Sequence, residues 1–227
     1  MDSCFRRNYR TLDCVVIKTL FGLLSRIFFD NLILLYNKIV MGNEMGTAVK
    51  KRIKFTYEDY LHFSEDKRYE IIDGEVYMVP SPGEAHQNIC ANLAFTLRVF
   101  VKENNLGRVY FAPFDVVFSE TDVVQPDIMF VSKERLNIIT EKNIQGTPDL
   151  IVEIISPSSE YRDKVIKRKL YSQYDLKEYW LVDPENKEIE VMALRESGLN
   201  TIRTYKMPNI LESLILKGLK IKLDEVF

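Results

Sequence analysis

Two acids sit in stretches that otherwise read as buried strand. Asp127 lies in QPDIMFV and Glu153 in PDLIVEIISPSS, among neighbours such as Ile128, Met129, Phe130, Ile151, Val152 and Ile154. A carboxylate drawn into such a strand must be paired, hydrogen-bonded or bound to a metal. A basic run, EYRDKVIKRKLY, follows the second acid at once. Two carboxylates and a lysine are the parts needed for metal-assisted hydrolysis of a phosphate ester. The acids hold a divalent ion, which polarises the phosphate and lowers the pKa of a bound water. The lysine holds the attacking water or stabilises the developing negative charge.

Spacing selects the partner of Glu153. Asp149 lies four residues earlier on the same strand, about 13 Å away at roughly 3.3 Å per residue. It points to the same face, but that separation is too great for one magnesium with bonds near ~2.1 Å. Asp127 can approach if its strand neighbours that of Glu153, because adjacent strands lie about 4.8 Å apart. Magnesium suits such a site, since it takes one or two carboxylates, several waters and a substrate phosphate; manganese is the alternative ion. In the helix, Ile166, Leu170 and Tyr174 recur every four residues, which predicts a face packed on the sheet. Asp163, Lys167 and Tyr171 recur on the neighbouring face. Lys167 is thereby expected to lean back over the end of the Glu153 strand. Lys164, Arg168 and Lys169 are expected to fan outward, suited to a phosphate backbone.

The elements that must position these groups are legible in order. Thr56 is a plausible N-cap for TYEDYLHF, with Glu58 and Asp59 in the first turn. YEIIDGEVYMVP reads as a hairpin around Asp73-Gly74. Residues 84–104 form a helix whose Ile89, Leu93, Leu97 and Phe100 make one buried stripe. VYFAPFDVVFSE is strand interrupted by Pro113, pointing to an edge or a bulge. Residues 132–147 are a polar connection with at most one helical turn. Ser158 or Ser159 caps the basic helix, which runs to about Tyr174. EYWLVD, IEVMAL and TIRTYK read as successive antiparallel strands, with turns at Pro184-Glu185-Asn186 and Ser197-Gly198. A last strand lies near Leu219–Leu223. The expected class is α+β, a mixed central sheet flanked by helices.

Composition narrows the function classes. Of 227 residues, 46% are hydrophobic and 28% charged, which excludes wholesale disorder. The net charge of −2 means that any nucleic-acid contact must come from a local basic patch. Cys4, Cys14 and Cys90 are too few and too scattered for a disulfide framework or a zinc site. His62 and His86 are the only histidines, which excludes a histidine-rich metal centre. Residues 1–44 differ from the rest: apolar but interrupted by charges, with no run of the roughly 18 residues a spanning helix needs. They read as an amphipathic membrane-surface helix, a helix packed on a partner, or the product of an upstream start codon. The last is favoured, because Met41 and Met45 offer later starts. Residues 45–227 are expected to form a single domain, located in the cytoplasm.

The runs YEIIDGEVY, SPGEAHQ, FAPFDVVF, QPDIMFV, PDLIVEIISPSS, RDKVIKRKLY and EYWLVDP, in that order, resemble the Uma-two family of restriction-endonuclease-like proteins. That family is similar to the PD-(D/E)XK nuclease superfamily. The resemblance covers about residues 50–195 and implies a restriction-endonuclease-like core acting as a magnesium-dependent phosphodiesterase on DNA. Asp127 and Glu153 would hold the metal, and Lys167 would be the lysine of the motif. Ile155 stands where the superfamily pattern has a lysine two residues after the glutamate, so the resemblance implies that the lysine has moved to the following helix. Glu70 matches the glutamate of the family's early hairpin and completes the acidic cluster. His86 matches a histidine before the long helix, taken here with the nucleic-acid-contacting residues. The alternative is a nuclease-like module that binds nucleic acid or protein without cutting. A homodimer rests on analogy with enzymes that cut both strands.

Overall fold

The computed structural model describes residues 53–64 and 66–227. The expectations for residues 1–44 (membrane-surface helix, partner-packed helix or upstream start) lie outside the described residues. The expected cap is present: Thr56 and Asp59 form a reciprocal capping box at helix α1, Tyr57–Tyr60. The Asp73-Gly74 hairpin joins β1, Arg68–Ile72, to β2, Glu75–Val79. Both turn residues have positive φ, 51° and 75°, as a type I′ turn requires. Helix α2, Glu84–Glu103, buries Ile89, Leu93, Leu97 and Val101. Val101, and not Phe100, completes the stripe.

The Pro113 region is neither a bulge nor a single strand. It separates β3, Gly107–Phe111, from β4, Asp115–Ser119, and the two belong to different sheets. The remaining strands are β5 (Asp122–Val124), β6 (Ile128–Ser132), β7 (Asn143–Gln145), β8 (Leu150–Ile154), β9 (Glu178–Asp183), β10 (Glu188–Arg195), β11 (Gly198–Lys206), β12 (Ile210–Glu212) and β13 (Lys220–Lys222). A six-stranded sheet has the order β11-β10-β9-β8-β6-β3, and a five-stranded sheet the order β2-β1-β5-β4-β7. Within the larger sheet β8 and β9 are parallel, while β3, β6, β10 and β11 pair antiparallel to their neighbours. The chain is thus α+β with a mixed sheet flanked by helices. The short strands β5 and β7 had no sequence expectation; three residues are too few to show a period.

Alternation along β8 sorts its side chains. Leu150, Val152 and Ile154 join a core with Leu93 and Leu97 of α2, Trp180 and Val182. Ile151 and Ile155 face the other way, into a core with Tyr179, Leu170 and the second sheet's Ile72, Val116, Val124 and Ile144. Glu153 shares this second face by the two-residue period. The segment after β8 turns at residues 156–159 and then winds as a π-helical turn, Arg162–Lys167, before becoming α3, Arg168–Gln173.

The C-terminal hairpin β12–β13 is tied to the sheet through one acid. Glu178, fully buried, accepts the amides of Leu214 and Ile215, the Ser213 hydroxyl and the Trp180 indole N–H. Among the described residues no helix is long and apolar enough to cross a membrane.

Candidate active site

Strands β6 and β8 are antiparallel neighbours in the register Ile128↔Val152. Asp127, one residue before β6, therefore stands opposite Glu153. Its Oδ2 accepts the Ile154 amide at 2.8 Å and lies 3.1 Å from His86 Nε2 at the start of α2. Glu70 enters from β1 of the second sheet, fully buried, with Oε1 accepting the Gln125 amide at 3.1 Å. Between Glu70 and Glu153 sits Lys167. Its Nζ is 2.8 Å from Glu70 Oε1, 3.0 Å from Glu153 Oε1 and 3.5 Å from Asp163 Oδ1. Tyr171 donates its hydroxyl to the same Glu153 oxygen at 2.6 Å, and Arg162 Nε approaches Glu70 Oε2 at 3.5 Å. All of these but Tyr171 line a cleft of about 140 Å³, together with Ser156, Ser158 and Ser159 and with Pro80, Ser81 and Pro82.

The helix meets the sheet with a different face from the one its apolar residues predicted. Asp163, Lys167, Leu170 and Tyr171 are buried, whereas Ile166 and Tyr174 are only partly so. Lys167 goes inward because Glu70 and Glu153 wait there to pair it, and Asp163 and Tyr171 share its face. The π-helical turn that carries Asp163 and Lys167 is a feature found often at functional sites.

Electrostatics explain why this burial holds. Burial alone would push the Lys167 ammonium down, but Glu153, Glu70 and Asp163 outweigh it and hold the pKa above the ordinary lysine value. Lys167 therefore stays charged. Burial pushes Glu153 up, opposed by Lys167 and reinforced by Asp163, Asp127 and Glu70. Asp163 is raised for the same reasons, burial first. One ammonium cannot satisfy every carboxylate that surrounds it.

That imbalance is the test of whether a divalent ion fits. Four acids, Glu70, Asp127, Glu153 and Asp163, outnumber the basic groups that touch them, Lys167, Arg162 and, on Asp127, His86. Arg68 stands at the rim, on the Pro80 carbonyl. The other oxygens of the facing pair, Asp127 Oδ1 and Glu153 Oε2, accept no hydrogen bond among the described residues. Hard oxygen donors in excess of the basic groups around them fit Mg²⁺ or Mn²⁺. Among the described residues no three His, Cys, Asp or Glu side chains form a ready-made cage. Magnesium does not need one, since waters and substrate phosphate complete its shell.

The remaining sequence-selected residues fall elsewhere. Lys164 is paired with Glu160 at 2.7 Å. Arg168 does not fan outward: its Nε and Nη2 donate to the Leu199 carbonyl at 2.9 and 2.7 Å, pinning α3 to β11. Lys169 is exposed. His86 lies against Asp127 within the cleft and not on an outer surface. Asp149 sits at the opposite end of β8, held by the Ser132 amide, Arg135 and Lys177. Ile155 is buried in the apolar core beside Leu170 and Tyr171, a place that would strand a lysine. Arg162 and Gln125 had no place in the sequence reading, and Asp163 only a secondary one. For Asp163 and Tyr171 the signal was the four-residue spacing to Lys167.

The model of the Uma2 family, described as "Putative restriction endonuclease", matches residues 56–224. The chain is 26% identical over 180 residues to "Uncharacterized protein slr1290" of Synechocystis sp., spanning 77% of this chain and 92% of that protein. A crystal structure of a "putative nuclease belonging to DUF820" from Anabaena variabilis is similar with a TM-score of 0.65 and 19% identity, over 76% of this chain and 97% of that one. At that identity the likeness shows a shared fold.

Proposed function

This chain belongs to the Uma2 family of restriction-endonuclease-like proteins, and we propose that it is a divalent-metal-dependent endonuclease that hydrolyses DNA phosphodiester bonds. The observation that carries the proposal is the charged Lys167 held between Glu70 and Glu153, with Asp127 opposite Glu153 at the start of the adjoining strand and acids in excess of basic groups.

Asp127 and Glu153 are the residues that would hold Mg²⁺ or Mn²⁺, which when bound polarises the scissile phosphate and acidifies a water. The chain's own groups do the rest. The Ile154 amide and His86 fix one oxygen of Asp127; Lys167 and Tyr171 fix one oxygen of Glu153. Each acid thus keeps its second oxygen for the cleft. Lys167 supplies fixed positive charge where negative charge grows on the phosphate oxygens, without reorganisation during the reaction. Glu70, anchored by the Gln125 amide, holds that ammonium in position.

The test is incubation of purified protein with supercoiled plasmid and single-stranded DNA, with Mg²⁺, with Mn²⁺ and with chelator, beside Glu153→Ala. Metal-dependent cutting by the wild type alone is expected. Equal cutting by the variant would overturn the assignment. One observation favours a second reading, a binding module that does not cut: Lys167 already occupies the gap between Glu70 and Glu153. Calorimetric titration separates the two, because a module of that kind would take up no Mg²⁺ or Mn²⁺ while folded.

A further inference from the structure

Two of the cations first expected to meet a phosphate backbone are engaged within the fold, Lys164 on Glu160 and Arg168 on the Leu199 carbonyl. A different set is free. Arg98 and Lys102, one turn apart on α2, and Arg108 on β3 line a groove of about 360 Å³ together with Val101, Gly107 and Tyr110. All three cations are exposed. None forms an ion pair with an acid among the described residues; Arg108 touches only the Tyr110 hydroxyl, at 3.5 Å. Tyr110 is itself held by stacking on Phe114, with ring centroids 4.9 Å apart. The groove follows the open edge of the six-stranded sheet, since β3 pairs with β6 and has no strand on its other side.

The groove also points at the cleft. The end of β3 reaches it: Phe111 pairs with Ile128, and the Ala112 amide donates to the Asp127 carbonyl at 3.0 Å. The start of α2 reaches it through His86. Arg98 lies 12 residues beyond His86 and Lys102 a further turn on, so about 18 and 24 Å along the axis at ~1.5 Å per residue. That distance corresponds to roughly 5–7 base pairs at ~3.4 Å rise.

We infer that the Arg98–Lys102–Arg108 groove is a docking track for the phosphodiester backbone of DNA, leading to or from the cleft. Charge complementarity selects this occupant: on a molecule of net charge −2, three unpaired cations in one groove are a local attraction for a polyanion. The identity of the polyanion rests on the nuclease reading; the anionic backbone as ligand rests on the groove itself. Contacts of this kind position the duplex and carry no sequence information.

The experiment measures binding of a labelled duplex and a labelled single strand in chelator, so that no cutting can occur, over 50 to 200 mM salt. The variant is Arg98→Ala/Lys102→Ala/Arg108→Ala, its fold checked by circular dichroism. Losing three phosphate contacts should lower the slope of log affinity against log salt by about 2.7 on duplex and about 2.1 on single strands. Across that salt range the wild type should then lose about 40-fold more duplex affinity than the variant. Equal slopes and affinities, or a wild type with no salt-dependent binding, would overturn the inference. If the triple variant does not fold, Arg98→Glu alone replaces it, with the same direction expected. A wild type that binds through the groove but does not cut with metal removes the nuclease reading and leaves the track. One that cuts while the triple variant binds normally removes the track alone.

Discussion

Replacing Lys167 by methionine keeps an unbranched side chain, one atom shorter, and removes the charge with its three N–H donors. The ammonium lies within 3.5 Å of three carboxylates, those of Glu70, Glu153 and Asp163, and all four residues are buried. Its loss leaves those acids without the cation they share. Removing one partner of a buried pair costs about 3–5 kcal/mol, about a fifth or more of the ~5–15 kcal/mol by which a domain of this kind is stable. The cost should depend on pH in a definite direction. Burial already holds Glu153 above the ordinary carboxylate value. A carboxyl raised in this way adds stability that is complete below the unfolded value, near ~4.3, and is lost as pH rises through the folded value. Without Lys167 the upward shifts of Glu153 and Asp163 grow, so the variant should be most deficient near pH 8 and recover towards pH ~5. Urea denaturation at both pH values checks this, provided the variant remains two-state. DNA cutting should be absent at both, so recovered stability does not restore activity. A deficit below about 1 kcal/mol at pH 8, or one that widens in acid, would refute the argument that these acids close around the ammonium.

Three further outcomes are expected. His86→Ala should weaken Mn²⁺ binding by about 10- to 100-fold in calorimetry, because Asp127 loses the group that orients one of its oxygens. Burial lowers the His86 pKa, but Asp127 and Asp163 outweigh it and raise it, so any stability His86 adds over the variant should be full below ~6.5 and fade as pH rises through the folded value; thermal melts at pH 6 and 8 measure this. Arg168→Ala should lose about 1–3 kcal/mol by freeing the Leu199 carbonyl, with an unchanged salt slope of DNA binding. Lys164→Ala, which breaks an exposed pair one turn apart, should change stability by less than about 0.5 kcal/mol in the same urea titration.

Local chemistry made much of this molecule legible in advance. Asp73-Gly74 dictates its hairpin wherever it sits, and the α2 stripe needs only a helical period. Glu153 drew attention because an acid between Val152 and Ile154 contradicts its surroundings. The partition into two sheets was not legible. It hangs on Pro113, which reads equally as a bulge, an edge or a break, and on strands of three residues. The basic helix misled in a physical way. In RDKVIKRKLY, burial follows charge pairing as much as hydropathy, so Lys167 goes inside and Val165 is left 48% exposed. Arg162 and Gln125 reach the cluster through residues distant in sequence, and a single chain carries no mark of that. The basic groove was missed because Arg98, Lys102 and Arg108 are separated by a helix end and a turn.

Glu178 makes the interior of the fold depend on its tail. Its carboxylate is satisfied by the Trp180 indole and by groups from Ser213 to Ile215, and it is wholly shielded from water. A chain broken off before Ser213, by premature termination or by proteolysis, still contains each acid and the lysine of the cleft. It also keeps an anion in its interior stripped of most of its donors. Such a fragment should unfold, so the cluster of acids and lysine does not outlast the loss of a tail that touches none of them.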